Sequence, residues 1–176
     1  MLPAEPADPP SGLAVPIRIP PSLAQVRRRW DRAAIAGARA HVTVLYPFLP
    51  TSRLTPDVRS QLAAIARSVS PFEVRFARVR RFDDGVVWVA PEPATPFRDL
   101  TAATVACWSD HPPYRGIFDE VVPHLTVVES DEAPLQEVEA LARRVTPFTA
   151  RVDRLELWRQ GEDGRWLPHW RFRLGG

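Results

Sequence analysis

The chain has 176 residues, 45% of them hydrophobic, and a formal net charge of +2, which suits one compact domain or two small lobes sharing a core. Every basic residue is arginine and no lysine occurs, which excludes a lysyl-adenylate ligase, a Walker-A ATPase and a Schiff-base enzyme. The single cysteine, Cys107, excludes an intramolecular disulfide and indicates a reducing compartment, and no apolar run approaches the roughly 20 residues of a membrane span.

Residues 1–11 lack the basic and apolar blocks of a signal peptide. They read as a disordered leader, so the expected location is the cytoplasm and the expected domain runs from residue 12 to 176. Gly12 to Ile17 reads as a short strand, with Pro16 suggesting a sheet edge. Ser22 is the expected cap of one helix running through Val26, Trp30 and Ala33 to about Gly37. A strand follows from Ala40 to Phe48, ended by Pro47 and Pro50. Thr55-Pro56-Asp57 opens a second helix, with Val58, Leu62, Ile65 and Val69 as its apolar stripe.

From Phe72 to Arg80 the residues alternate as in a half-exposed strand. Asp83-Asp84-Gly85 marks a hairpin turn, and Val86 to Ala90 is the returning strand. Pro96 opens a third helix reaching about Trp108. A loop from His111 to Gly116 leads to a strand at Val121 to Glu129, and Pro134 opens a fourth helix ending near Arg144. Phe148 to Trp158 and Trp166 to Phe172 read as a last hairpin around Gly161 and Gly164.

Two stretches of this chain repeat one another. Gln61 to Phe72 aligns without a gap on Glu137 to Phe148, and the register continues through Arg75 with Arg151 and Arg78 with Arg154. Each copy follows a tetrad of histidine, apolar residue, threonine, apolar residue: His41-Val-Thr-Val44 and His124-Leu-Thr-Val127. The chain reads as two copies of strand, helix, His-x-Thr strand, helix, strand.

Successive side chains of a strand point to opposite faces. Each tetrad therefore sets an imidazole and a hydroxyl on one face and two apolar residues on the other. Imidazoles titrate near neutral pH and can serve as acid and base, while hydroxyls can hold an anion. His41 and His124 are the candidate proton-transfer groups, and Thr43 and Thr126 the candidate phosphate donors. Which histidine is acid and which is base is left open by their quasi-equivalent positions.

Further candidates are Tyr114 and Arg115, in the loop before the second tetrad, and Arg39, two residues before His41. The blander readings go to His111 and His169 as structural or surface residues, Tyr46 as packing, and Arg75 and Arg151 as a solvated face. Trp30, Trp88 and Trp108 read as core, whereas Trp158, Trp166 and Trp170 are candidates to flank a cleft. No metal-ligand spacing occurs.

The two tetrads, their spacing, the Pro123-His-Leu-Thr126 context and the duplicated layout resemble the 2H phosphoesterase superfamily, in its bacterial 2′-5′ RNA ligase-like or cyclic phosphodiesterase branch. The resemblance covers nearly the whole chain from about Gly12. It implies an α+β fold of two pseudo-symmetric lobes, each an antiparallel sheet with flanking helices, with the active-site cleft between them.

It also implies a phosphodiesterase acting on 2′,3′-cyclic phosphate or 2′-5′ bonds of RNA or small nucleotides. No metal or cofactor would take part; the partner would be an RNA terminus or a small cyclic nucleotide, with no membrane, and the chain is expected to be a monomer. The alternatives are a non-catalytic RNA- or nucleotide-binding module using the same cleft, and an enzyme of a small non-RNA phosphodiester.

Overall fold

Eight strands form one antiparallel sheet in the computed structural model, which describes residues 8–118 and 120–176. In chain order the elements are β1 (Ser11–Pro16), α1 (Pro21–Trp30), α2 (Arg32–Ile35), β2 (His41–Leu45), α3 (Pro56–Arg67), β3 (Phe72–Arg81), β4 (Val87–Glu92), α4 (Thr95–Cys107), β5 (Leu125–Val128), α5 (Leu135–Val145), β6 (Phe148–Val152), β7 (Arg154–Gln160) and β8 (Trp166–Arg173). The strands lie in the order β6-β3-β4-β5-β2-β1-β7-β8. The architecture is α+β. The two expected sheets are joined into one, because β2 pairs directly with β5.

The sheet is strongly curled. Asp153 alone separates β6, at one edge, from β7, six places away. Six strand spacings in a flat sheet would span about 29 Å, far beyond the reach of one residue. The expected strand Phe148 to Trp158 is therefore two strands serving opposite ends of the sheet.

The register bears on the sequence repeat. Val42 and Leu125, the residues after the two histidines, stand opposite each other. Val74 and Ala150, which precede the aligned Arg75 and Arg151, do the same between β3 and β6. Repeat-equivalent residues pair at both places, which is the register of a pseudo-two-fold arrangement about the sheet.

One face of the sheet carries the core. Val42, Val44, Leu125, Val127, Val74 and Leu157 pack there with Leu23 of α1, Leu62 and Ile65 of α3, Phe97 and Leu100 of α4 and Val138 of α5. These are the apolar positions that strand and helix periods place on one side. Thr55 caps α3 by accepting from the Val58 N–H, and Pro56 occupies its first turn, as the sequence indicates. Among the described residues no helix is long and apolar enough to cross a membrane.

Three local expectations are corrected. β1 is an interior strand, between β2 and β7; Pro16 is tolerated because it follows the last residue that β1 pairs with β7, Ala14. The first helix is broken in two at Asp31, whose extended backbone ends α1 and whose carboxylate caps α2 by accepting from the Ala34 N–H; Ser22 lies inside α1 and caps nothing. Of the expected leader, residues 1–7 lie outside the described residues. Residues 8–11 are tied to the domain: the Pro9 and Pro10 carbonyls accept from the Thr51 and Gln160 amides, and Ser11 begins β1.

Candidate active site

The sheet face opposite the core carries the four tetrad side chains. His41 and Thr43 lie on β2, Thr126 lies on β5 and His124 immediately precedes it; all four are half-buried. Because β2 and β5 run antiparallel with Val42 opposite Leu125, His41 stands beside Thr126 and Thr43 beside His124. The imidazoles occupy one diagonal of this quadrilateral and the hydroxyls the other. Diagonal neighbours across two strands are about 7–8 Å apart.

The two histidines are held in the same way. His41 Nδ1 lies 2.7 Å from the Arg39 carbonyl oxygen, and His124 Nδ1 lies 2.7 Å from the Val122 carbonyl oxygen. A carbonyl only accepts, so in each ring Nδ1 donates and Nε2 is left as the atom that gains or loses a proton. Both rings also have aromatic walls. The Trp158 ring meets His41 edge-on at 4.8 Å, and Phe82 and Trp88 meet His124 at 5.1 and 5.9 Å.

Electrostatically the pair is unequal. Burial pushes the His41 imidazole down to about 4, and the Arg27 guanidinium adds to the effect against the bond to the Arg39 carbonyl. Burial also lowers His124, but there the Val122 carbonyl and the Asp84 carboxylate act in the opposite direction. A nearby cation disfavours the imidazolium and a nearby anion favours it.

The loop candidates differ from each other. Tyr114 reaches the site: burial pushes its phenol up, the neighbouring Thr43 side chain opposes that rise, and Glu129 adds to it. Tyr114 and Arg115 have φ of 51° and 58°, a region that costs a side-chain-bearing residue about 1–2 kcal/mol. The Tyr114 N–H, donating to the Tyr46 carbonyl at 2.6 Å, helps to hold the turn. Arg115 is exposed.

Arg39 is engaged elsewhere. Its guanidinium forms an ion pair with Glu156, and what Arg39 gives His41 directly is its carbonyl. Glu156 is fully buried and also accepts from Trp158 Nε1 at 2.7 Å and Arg154 Nε at 3.0 Å. Burial pushes its carboxyl up, but the Trp158, Arg39 and Arg154 donors outweigh this and hold it below its ordinary value. Glu156 thus ties together Arg39 and Trp158, the two residues that fix the His41 ring. Sequence reading did not single it out. Arg27 was also missed; it is buried against Asp31 at 2.6 Å although its Arg27-Arg28-Arg29 run looks like a solvated helix face.

The remaining residues sort plainly. His169 is exposed and tilted on Trp170, and the His111 amide donates to the Trp108 carbonyl; neither belongs to the quadrilateral. Tyr46 packs edge-on against Trp166. Arg75 and Arg151 are exposed. Trp158 does flank the site. Trp88 is buried, as expected, and stands on the site face opposite Thr126 in the register. Among the described residues no three His, Cys, Asp or Glu side chains are grouped to hold a metal ion.

Residues 15–164 match the family model of the 2′-5′ RNA ligase superfamily. A "Putative phosphoesterase" of Bacillus pumilus is 29% identical over 154 residues, spanning 85% of this chain and 86% of the relative. A similarly named protein of Bacillus cereus strain B4264 is 25% identical over 157 residues, spanning 85% and 87%. Among solved structures, LigT of E. coli complexed with 3′-AMP superposes with a TM-score of 0.59 at 16% identity, covering 96% of this chain and 99% of that one. The TT0787 protein of Thermus thermophilus gives 0.61 at 19% identity, covering 95% and 98%. At these identities the structures speak for the fold.

Proposed function

The chain belongs to the 2′-5′ RNA ligase superfamily, and within it we propose a phosphodiesterase that opens 2′,3′-cyclic phosphates or 2′-5′ linkages of RNA or small nucleotides by two-histidine acid–base catalysis. The observation that carries this reading is the paired Nδ1 anchoring of His41 and His124 on backbone carbonyls. It leaves two Nε2 atoms as proton carriers on one diagonal and two hydroxyls on the other.

In-line displacement at phosphorus places the attacking and departing oxygens on opposite sides. An acid and a base at opposite corners suit that geometry. For a 2′,3′-cyclic phosphate, neutral His41 takes the proton of the attacking water through Nε2. Water oxygen bonds to phosphorus, and one P–O ribose bond breaks. His124, as imidazolium, gives its Nε2 proton to the departing ribose oxygen. Thr43 and Thr126 donate hydroxyl hydrogen bonds to the non-bridging oxygens, where charge grows in the transition state.

The assignment follows the local fields. Arg27 disfavours a charged His41, whereas Asp84 favours a charged His124. A bound phosphate anion raises both imidazoles from these lowered values, and His124 is the one poised to take up the proton.

The reading is tested by mass analysis of products from 2′,3′-cyclic nucleotides, 2′-5′ dinucleotides and tRNA halves ending in a cyclic phosphate. Addition of water to at least one substrate is expected. Binding without any product would instead favour a nucleotide-binding module.

A further inference from the structure

The site face extends beyond the quadrilateral. The β4–β5 register sets Trp88 opposite Thr126, and the β3–β4 register sets Arg80 opposite Trp88 and Arg78 opposite Ala90. Partners across a register share a face. Arg80, Trp88, Thr126 and His41 therefore form one row across four strands.

Beside this row lies a groove of about 390 Å³, with Arg78, Arg80, Trp88, Arg98, Val122 and Pro123 in its walls. Its inner end is built from the site itself. Trp88 meets the His124 ring, and Val122 gives His124 its carbonyl anchor.

Two features of the groove bear on its ligand. Arg78 pairs with Glu92 at 2.7 Å and Arg98 with Glu120 at 3.9 Å, but Arg80 has no acidic partner within 4.0 Å among the described residues. Trp88, 6% exposed, forms an aromatic wall of the groove. An arginine fork beside an aromatic suits a phosphate and the base or sugar next to it. Arg80 stands two strands from Thr126, about 10 Å by strand spacing, a gap that its side chain shortens.

We propose that this groove binds the nucleotide adjoining the scissile phosphate, with Arg80 on that nucleotide's own phosphate, which makes Arg80 the residue that sets a preference for longer substrates. This rests on the phosphodiesterase reading for the meaning of "scissile", but the binding claim has its own readout.

The test is calorimetric titration of the full chain with a hexaribonucleotide carrying a 3′-phosphate and with the matching nucleoside 3′-monophosphate, between about 50 and 200 mM salt. The hexanucleotide is expected to bind at least about tenfold tighter, the worth of one charge-assisted contact. Arg80→Gln should remove most of that gain and flatten the salt slope by about 0.7, the value of one single-strand phosphate. Arg173→Gln, in a separate arginine-lined groove between α3 and β8, controls for the loss of one positive charge and should leave the gain in place.

No length preference in the wild type, or equal losses in the two variants, overturns the groove proposal. Length-dependent binding of RNA and cyclic nucleotides that never react supports the groove and overturns the phosphodiesterase reading. Turnover of cyclic nucleotides without length preference does the reverse.

Discussion

Val42 stands directly opposite Leu125, and that one antiparallel pair sets the geometry of the site. Each residue is buried in the core and follows a histidine. The pairing consequently puts each imidazole beside the other tetrad's threonine. A shift of one residue would turn the polar groups of one strand into the core. Burial of the apolar partners therefore fixes the alignment of the polar ones.

Thr43→Val and Thr126→Val keep side-chain shape and remove the hydroxyl. Each is expected to lower kcat/KM by about 10–100-fold, somewhat less than a preorganised oxyanion donor, because a threonine hydroxyl is less rigidly held than a backbone amide. Steady-state kinetics on a 2′,3′-cyclic nucleotide checks this, with thermal melts confirming the fold. Wild-type rates in both variants would remove the hydroxyls from the mechanism.

Tyr114→Phe removes the phenol hydroxyl beside Thr43 and leaves the ring. A fall of about tenfold in kcat/KM is expected, the worth of one hydrogen bond of about 1.4 kcal/mol. Arg115→Gly relieves a left-handed residue at an exposed position, so its melting temperature should stay level or rise. A clear drop would show that the Arg115 side chain supports the turn.

Glu156→Gln weakens the tie between Arg39 and Trp158. Glu156 is buried but its arginine partners are partly exposed, so the cost lies below that of a fully buried pair, on the order of 1–2 kcal/mol, and denaturant melts should show a loss of that size. Activity should fall as well, through a His41 ring no longer fixed on both sides. The conservative Glu156→Asp should recover part of both, while an unchanged melt would mean that the network adds nothing.

The pH dependence has a definite sign. His41 stays neutral in the fold down to about 4, whereas an unfolded imidazole takes its proton near 6.5. Its contribution to stability is full above about 6.5 and is lost as pH falls towards 4. Glu156, whose folded carboxyl lies below its ordinary value, contributes fully above the ordinary carboxylate range and loses that contribution at still lower pH. Melts of wild type and His41→Asn across pH 4 to 7 check the histidine part, since the variant should lose less stability.

Catalysis follows the same shifts. In the free enzyme His124 must be protonated, although its imidazole is held below 6.5, and His41 must be neutral. The optimum of kcat/KM is expected on the acid side of pH 6.5. The alkaline limb of kcat should lie higher, because bound phosphate raises His124. Coincident limbs would indicate that phosphate does not sit against His124.

The legible part of this molecule was what a two-residue period carries. The tetrads were readable because each strand must separate His41 and Thr43 from Val42 and Val44. The Thr55 cap and the Asp83-Asp84-Gly85 turn were readable for similarly local reasons. Glu156 was not, because its cross-sheet neighbour Ala14 and its partner Arg39 are supplied by segments remote in sequence. The break at Asp31 depends on a carboxylate shared between a cap and the Arg27 ion pair. The split at Asp153 depends on the curl of the whole sheet. The inequality of the histidines required knowing that Arg27 approaches one and Asp84 the other.

Two-histidine catalysis stands or falls on the kinetics of His41→Ala and His124→Ala on a 2′,3′-cyclic nucleotide, with circular dichroism to confirm the fold. Each variant is expected to lose about 10²–10⁴ in kcat, the contribution of one general acid or base. A properly folded single variant that turns over at the wild-type rate would contradict the mechanism.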